Sequence, residues 1–144
     1  MTQIDYIASP APDRRSVAGA LWRGFRGRCP ECGEGRMFRA YLKVSDACPH
    51  CGEALHHHRA DDAPAYFTIL VVGHAIIPGA LALERAFQPA MWIHMSLWLP
   101  LSVIIALVSL PRIKGMLVGL QWALRMHGFG EPEAALGHLP EPQP

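Results

Sequence analysis

Charge is what this 144-residue chain lacks over long stretches. Residues 63–83 and 89–110, 43 positions in all, contain no Lys, Arg, Asp or Glu. All 25 charged side chains fall in the other 101 residues, whose composition is ordinary for soluble protein. So uneven a distribution excludes an evenly patterned globular domain and a wholly disordered chain. An apolar leader is also missing, since residues 1–15 (MTQIDYIASPAPDRR) are polar and carry no h-region. No lipidation motif stands at either end. HExxH, phosphate-loop, Ser-His-Asp and paired-carboxylate patterns are absent as well, and little chain outside the apolar runs remains to build a substrate pocket. The expectation is a protein that is not an enzyme. A net charge of +1 selects no partner, so the placement of charge has to be read instead.

As helices, runs of 21 and 22 residues cover about 31–33 Å, the thickness of a bilayer's hydrocarbon core. Buried helices of a soluble bundle keep a polar face, and these runs have none. Two transmembrane helices, about 63–83 and 89–110, are therefore expected, joined by the five residues 84–88 as a tight antiparallel hairpin. Nine of 13 Lys and Arg precede the first run, three follow the second, and Arg85 alone lies between them. The positive-inside rule then puts both termini in the cytoplasm and the turn outside.

All four cysteines belong to two matching knuckles, Cys29-Pro-Glu-Cys32-Gly and Cys48-Pro-His-Cys51-Gly, 15 residues apart. Each turn brings two sulfurs together, and two turns complete a tetrahedron, the pattern of a structural four-thiolate zinc site. Iron in a rubredoxin-like site uses the same ligands and stays open. Disulfides are disfavoured in a reducing compartment, and a redox pair would need only one CxxC within a βαβ setting. Met37, Phe38, Tyr41, Leu42 and Val44 supply a small hairpin between the knuckles. So small a unit depends on its metal for about 10 kcal/mol of stability.

The flanks fall into three parts. Residues 1–15 and 130–144, the latter with four prolines and three glutamates, read as disordered tails. Residues 16–28 interleave Leu21, Trp22 and Phe25 with Arg23, Arg26 and Arg28, a mixture suited to anionic lipid and, secondarily, to RNA. Trp22, Phe25, Arg26 and, after the second run, Lys114 are the candidate membrane-interface anchors. Residues 111–129 place Ile113, Met116, Leu117, Leu120 and Leu124 on one helical stripe, so a C-terminal amphipathic interfacial helix is expected. Val118 and Trp122 interrupt its polar face, which suits docking on a partner. Gly115 and Gly119 form a small-xxx-small pair that permits close helix approach.

Polar groups near or inside the spans are the remaining candidates. His56, His57 and His58 with Asp61 and Asp62 admit a second metal or proton site. The plainer reading has Asp62 capping the first span, Pro64 in its first turn and the rest solvated. His74 and His94 lie within the spans, with Met91 and Met95 beside His94, a soft-ligand set compatible with copper or haem iron. Against that, a neutral histidine bonded across a helix pair is ordinary, and methionine fills apolar interfaces generally.

The fold class these parts compose is a small α-helical membrane protein. It is a two-helix transmembrane hairpin with an N-terminal zinc ribbon (1–15 tail, 16–58 anchor and ribbon, 59–129 membrane part). Taken together, CPECGEGRMF, CPHCG, RADDAPAYFTILVVGH, WIHMSLWLP, LPRIKG and LQWALRMHGF, in that order, resemble domain-of-unknown-function family 983 over about residues 21–129. Cys29, Cys32, Cys48 and Cys51 match the family's four cysteines. Asp61, Asp62, Pro64, Ala65, Tyr66 and Phe67 match its membrane-entry motif, and Trp92, His94, Trp98 and Pro100 its second-span motif. Pro111, Lys114 and Gly115 match the motif after that span; the triple histidine and acidic tail lie outside the pattern. The resemblance implies a two-span inner-membrane zinc-ribbon protein. Because some members look to be encoded near haem–copper oxidase genes, it also implies a role in assembling such a respiratory complex. The expected partners are the lipid bilayer and another membrane protein. A membrane-tethered nucleic-acid-binding ribbon and a metal or haem carrier using the intramembrane His and Met are the alternatives.

Overall fold

The computed structural model describes residues 15–59 and 62–129. Both expected tails, apart from Arg15, and Asp61 lie outside the described residues. The elements, in order, are α1 (Val17–Phe25), β1 (Phe38–Ala40), β2 (Lys43–Val44), α2 (Ala63–Phe87) and α3 (Met91–Ala123), closed by a 3-10 turn at Met126–Gly128.

The two apolar runs are α2 and α3, each long and apolar enough to cross a membrane. They are antiparallel neighbours, and their joint is tighter than the expected five residues. Helix α2 runs on through Glu84 and Arg85, the latter placed favourably in its last turn. Gln88 then takes a left-handed conformation (φ 46°) and its N–H returns to Glu84 O at 3.0 Å. Pro89 and Ala90 complete the turn. At the other end Pro64 occupies the first turn of α2 as expected. Asp62 holds the capping position but its side chain makes no capping bond, because its backbone is already helical (φ −97°, ψ −27°).

Helix α3 differs most from expectation. It extends unbroken for 33 residues, about 50 Å, so the segment after the second span continues that helix and is not a separate interfacial one. Burial divides it in two. Its buried residues, Ile113, Gly115, Val118, Gly119 and Trp122, all lie beyond Leu110. From Met91 to Leu110 the surface is apolar and outward, with Met91, Trp92, Leu99, Val103 and Ile104 more than half exposed. An apolar surface that continuous calls for lipid around it. The architecture is that of a small helical membrane protein whose second long helix projects past the apolar zone.

That projection carries the rest of the molecule. Helix α1, capped by Ser16 Oγ accepting from Gly19 N–H at 3.2 Å, crosses α3 at its glycines. A Cβ on Gly24 would collide with Gly115 O, one on Gly115 with Gly24 O, and one on Gly119 with Ala20 O. Backbone touches backbone here, which only a small residue permits. The contact therefore centres on Gly115 and Gly119 and not on the Met116–Leu120–Leu124 side of the expected stripe; Leu124 is exposed. The ribbon packs against the neighbouring face, where Val118 joins Cys29, Met37, Val44, Cys48 and Leu55 in one buried cluster.

Candidate metal centre

The two knuckles fold alike. Gly33 N–H donates to Cys29 O at 2.9 Å in the first, and Gly52 N–H to Cys48 O at 3.0 Å in the second. Gly33 (φ 75°) and Gly52 (φ 78°) are both left-handed, which explains the glycine after each CxxC. Each knuckle closes on itself once more, through Cys29 N–H to Gly35 O (2.8 Å) and Cys48 N–H to Glu53 O (2.9 Å). Gly35 is needed for a different reason: a Cβ there would strike Cys48 Sγ. Between the knuckles, β1 and β2 pair antiparallel about Tyr41 and Leu42, the expected hairpin.

All four Sγ atoms lie within 4.8 Å of one another. Cys29 and Cys51 are 3.7 Å apart and Cys32 and Cys48 3.8 Å. A tetrahedron of thiolates around zinc, with Zn–S near 2.3 Å, has edges of about 3.8 Å, so these separations fit a four-coordinate ion. The donor set and geometry suit a metal ion such as zinc.

The thiols are not equivalent. Burial pushes the Cys29 thiol well above its ordinary range, while N–H groups of Gly35 and then Glu34 hold Cys32 down to about 6. Cys32 is thus largely thiolate at neutral pH before any metal arrives. His50 N–H lies 3.5 Å from Cys48 Sγ, a further weak donor to the cluster.

How the centre is mounted was not foreseen from the sequence. Trp122, 4% exposed, donates its indole N–H to Glu53 Oε1 at 2.7 Å, directly after the second knuckle. Arg15 lies over the Trp122 ring at 4.2 Å and donates to Trp122 O at 2.9 Å, capping the end of α3. Gln121 and the Arg59 backbone exchange two bonds, at 3.0 and 3.1 Å. Tyr41, in the ribbon's hairpin turn, donates its hydroxyl to Leu107 O at 2.8 Å. Pro111 lacks the N–H that would serve this carbonyl one turn back, so the ribbon supplies the donor that the helix lacks. The signals were present in Val118 and Trp122, apolar residues on a nominally polar face, and in Pro111.

The remaining candidates are placed as follows. Trp22 and Phe25 stack at 5.7 Å on α1, with Arg26 over the Trp22 ring at 4.7 Å. Lys114 is half-buried on α3, outside this group. In the triple histidine the His56 and His57 rings lie 4.0 Å apart, the His57 ring meets Phe129 edge-on at 5.7 Å and His58 Nδ1 donates to Leu55 O (2.8 Å), but the three form no metal-ligand group. Asp62 is exposed. Among the described residues only the four cysteines form a metal-ligand group of His, Cys, Asp and Glu.

His74 and His94 are both hydrogen-bonded within the chain. His74 Nδ1 donates to Leu70 O at 2.8 Å on an exposed face of α2. His94 Nδ1 accepts the indole N–H of Trp98 at 3.1 Å, and since that N–H can only donate, the ring proton resides on Nε2, 2.9 Å from Glu84 Oε2. Trp98 lies flat enough on α2 that a Cβ on Gly79 would meet its ring at 2.7 Å. Glu84, His94 and Trp98 thus tie α2 to α3 beside their turn, and both nitrogens of His94 are engaged. Met91 and Met95 are exposed, at 75% and 55%.

A family model described as a protein of unknown function (DUF983) matches residues 38–122. No curated protein and no solved structure matches the chain.

Proposed function

The chain belongs to the DUF983 family of proteins of unknown function, and we propose that it is a non-enzymatic accessory protein of the bacterial inner membrane. In this reading both termini are cytoplasmic, and the projecting part of α3 presents a structural zinc ribbon at a fixed height and angle to a partner membrane protein. The observation that carries it is the mounting: α1, the ribbon and the Arg59 segment are all fastened to α3 between Leu107 and Trp122. A ribbon on a flexible tether would suit capture of a distant ligand; a bracketed one suits docking at the membrane face. Four thiolates saturate a tetrahedral ion and leave no open position for substrate, which supports a structural role for the metal. A respiratory haem–copper oxidase under assembly is the partner that the family resemblance suggests.

Deleting the gene should lower assembled oxidase, measured by haem difference spectra and native gels. Wild-type protein should restore it, and Cys29→Ser/Cys51→Ser should not. Normal levels of every respiratory complex after deletion would sink the proposal. The carrier alternative would need His94 to give up the hydrogen bond on whichever ring nitrogen took the metal, to Trp98 or to Glu84.

A further inference from the structure

We infer that the junction of α1 and α3 is a binding site for one anionic phospholipid. The inference is independent of the docking reading and rests on two adjoining cavities outside the metal centre and the α2–α3 pair. The first, about 610 Å³, is lined by Phe25, Arg26, Gly27, Arg28, Phe38 and the Pro111–Arg112 pair. The second, about 480 Å³ and almost wholly apolar, is lined by Ala18, Leu21, Trp22, Phe25 and Met116. Phe25 is their common wall.

Charge and depth identify the occupant. None of Arg26, Arg28 and Arg112 pairs with a carboxylate among the described residues, where the ion pairs are Arg39–Asp46, His50–Glu34 and His94–Glu84. Three arginines therefore line one cavity with no carboxylate partner among the described residues. The backbone cannot serve an anion there: the N–H groups of Arg26, Gly27 and Arg28 go to Trp22 O, Gly24 O and Arg23 O, and Pro111 has none. Arg26 stands over Trp22, and Arg112 is 5.9 Å from the Phe25 ring centre with one N–H on Val108 O, so most of their donors remain for a ligand. Pro111 and Arg112 directly follow the apolar run that ends at Leu110, the depth at which lipid phosphates lie.

A phosphodiester suits the arginine cavity, and one acyl chain suits the apolar groove that shares Phe25. A zwitterionic lipid would bring its ammonium against three guanidinium groups, so the site favours a lipid of net negative charge.

The test uses the full-length chain in nanodiscs of equal phosphatidylglycerol and phosphatidylcholine, released into mild detergent and weighed by native mass spectrometry. One phosphatidylglycerol should stay bound per chain, favoured over phosphatidylcholine by about fivefold for each arginine engaged. Arg26→Gln/Arg112→Gln should cut the preference to about fivefold or less, the share left to Arg28, while metal per chain stays at the wild-type value. Equal retention of the two lipids by wild type overturns the inference without any variant, as does an unchanged preference in a metal-loaded double variant. Inorganic phosphate that binds the lipid-free chain and displaces phosphatidylglycerol would mark a free-anion site instead, and would also overturn it.

Discussion

Three side chains decide how the ribbon meets the membrane helix and how its metal loads. Tyr41 is the clearest, since its hydroxyl answers the carbonyl that Pro111 orphans. Tyr41→Phe keeps the ring and removes that donor. It should cost about 1 kcal/mol in the docking of ribbon to α3, seen as faster hydrogen exchange over residues 38–44 with α2 unaffected. Cys32 and Cys29 differ in a testable way. With Cys32 held down to about 6 and Cys29 pushed up, Cys32 is the thiolate available at neutral pH. Cys32→Ser should slow zinc capture at pH 7 more than Cys29→Ser does, measured against a chromophoric chelator. A folded-state pKa below the ordinary 9.0 gives this advantage only above about pH 6. The gap between the two variants should therefore close as pH falls through 6. His94 tests the other end of the hairpin. His94→Ala removes two hydrogen bonds between Glu84, His94 and Trp98 and should destabilise the α2–α3 pair by about 1–2 kcal/mol without changing bound metal.

At the scale of elements, the decisive contact is the backbone crossing of α1 and α3 at Gly24, Gly115 and Gly119. Gly115→Leu places a side chain where Gly24 O already lies, and no rotamer avoids it. The variant should detach α1, which a pair of spin labels on α1 and α3 would register as a lengthened distance, while residues 63–110 still insert. The same crossing shows what the sequence could disclose. The apolar runs, the matched knuckles and the hairpin between them were legible because each rests on local chemistry: missing charge, paired sulfur, a glycine after each CxxC. The continuity of α3 through Pro111 was not, because a proline there reads as a break unless a donor from elsewhere serves Leu107 O, and Tyr41 is 66 residues away in sequence. Trp122 and Val118 were visible as misplaced apolar residues. Which partner they packed against was a tertiary fact, and it proved to be the chain's own ribbon. The alignment of Met116, Leu120 and Leu124 misled because close packing on glycine buries backbone in place of long side chains.

For the whole molecule, the metal centre and the apolar hairpin are two supports joined through one helix. Cys29 and Cys48 belong to the buried cluster that includes Val118, so metal removal should loosen the ribbon and its hold on α3 together. A chelator should raise hydrogen exchange across residues 28–59 and leave the middle of α2 and of α3 protected, since backbone bonds in those helices are internal and lipid-shielded. In the proposed function the ribbon, held rigidly on α3, docks a membrane partner. The most direct test of that docking is quantitative mass spectrometry of proteins co-purifying in mild detergent with the tagged full chain, beside Cys51→Ser inserted at the same level. Haem–copper oxidase subunits or their assembly factors should be enriched with wild type and lost with Cys51→Ser. Equal enrichment with both, or none with wild type, would contradict it.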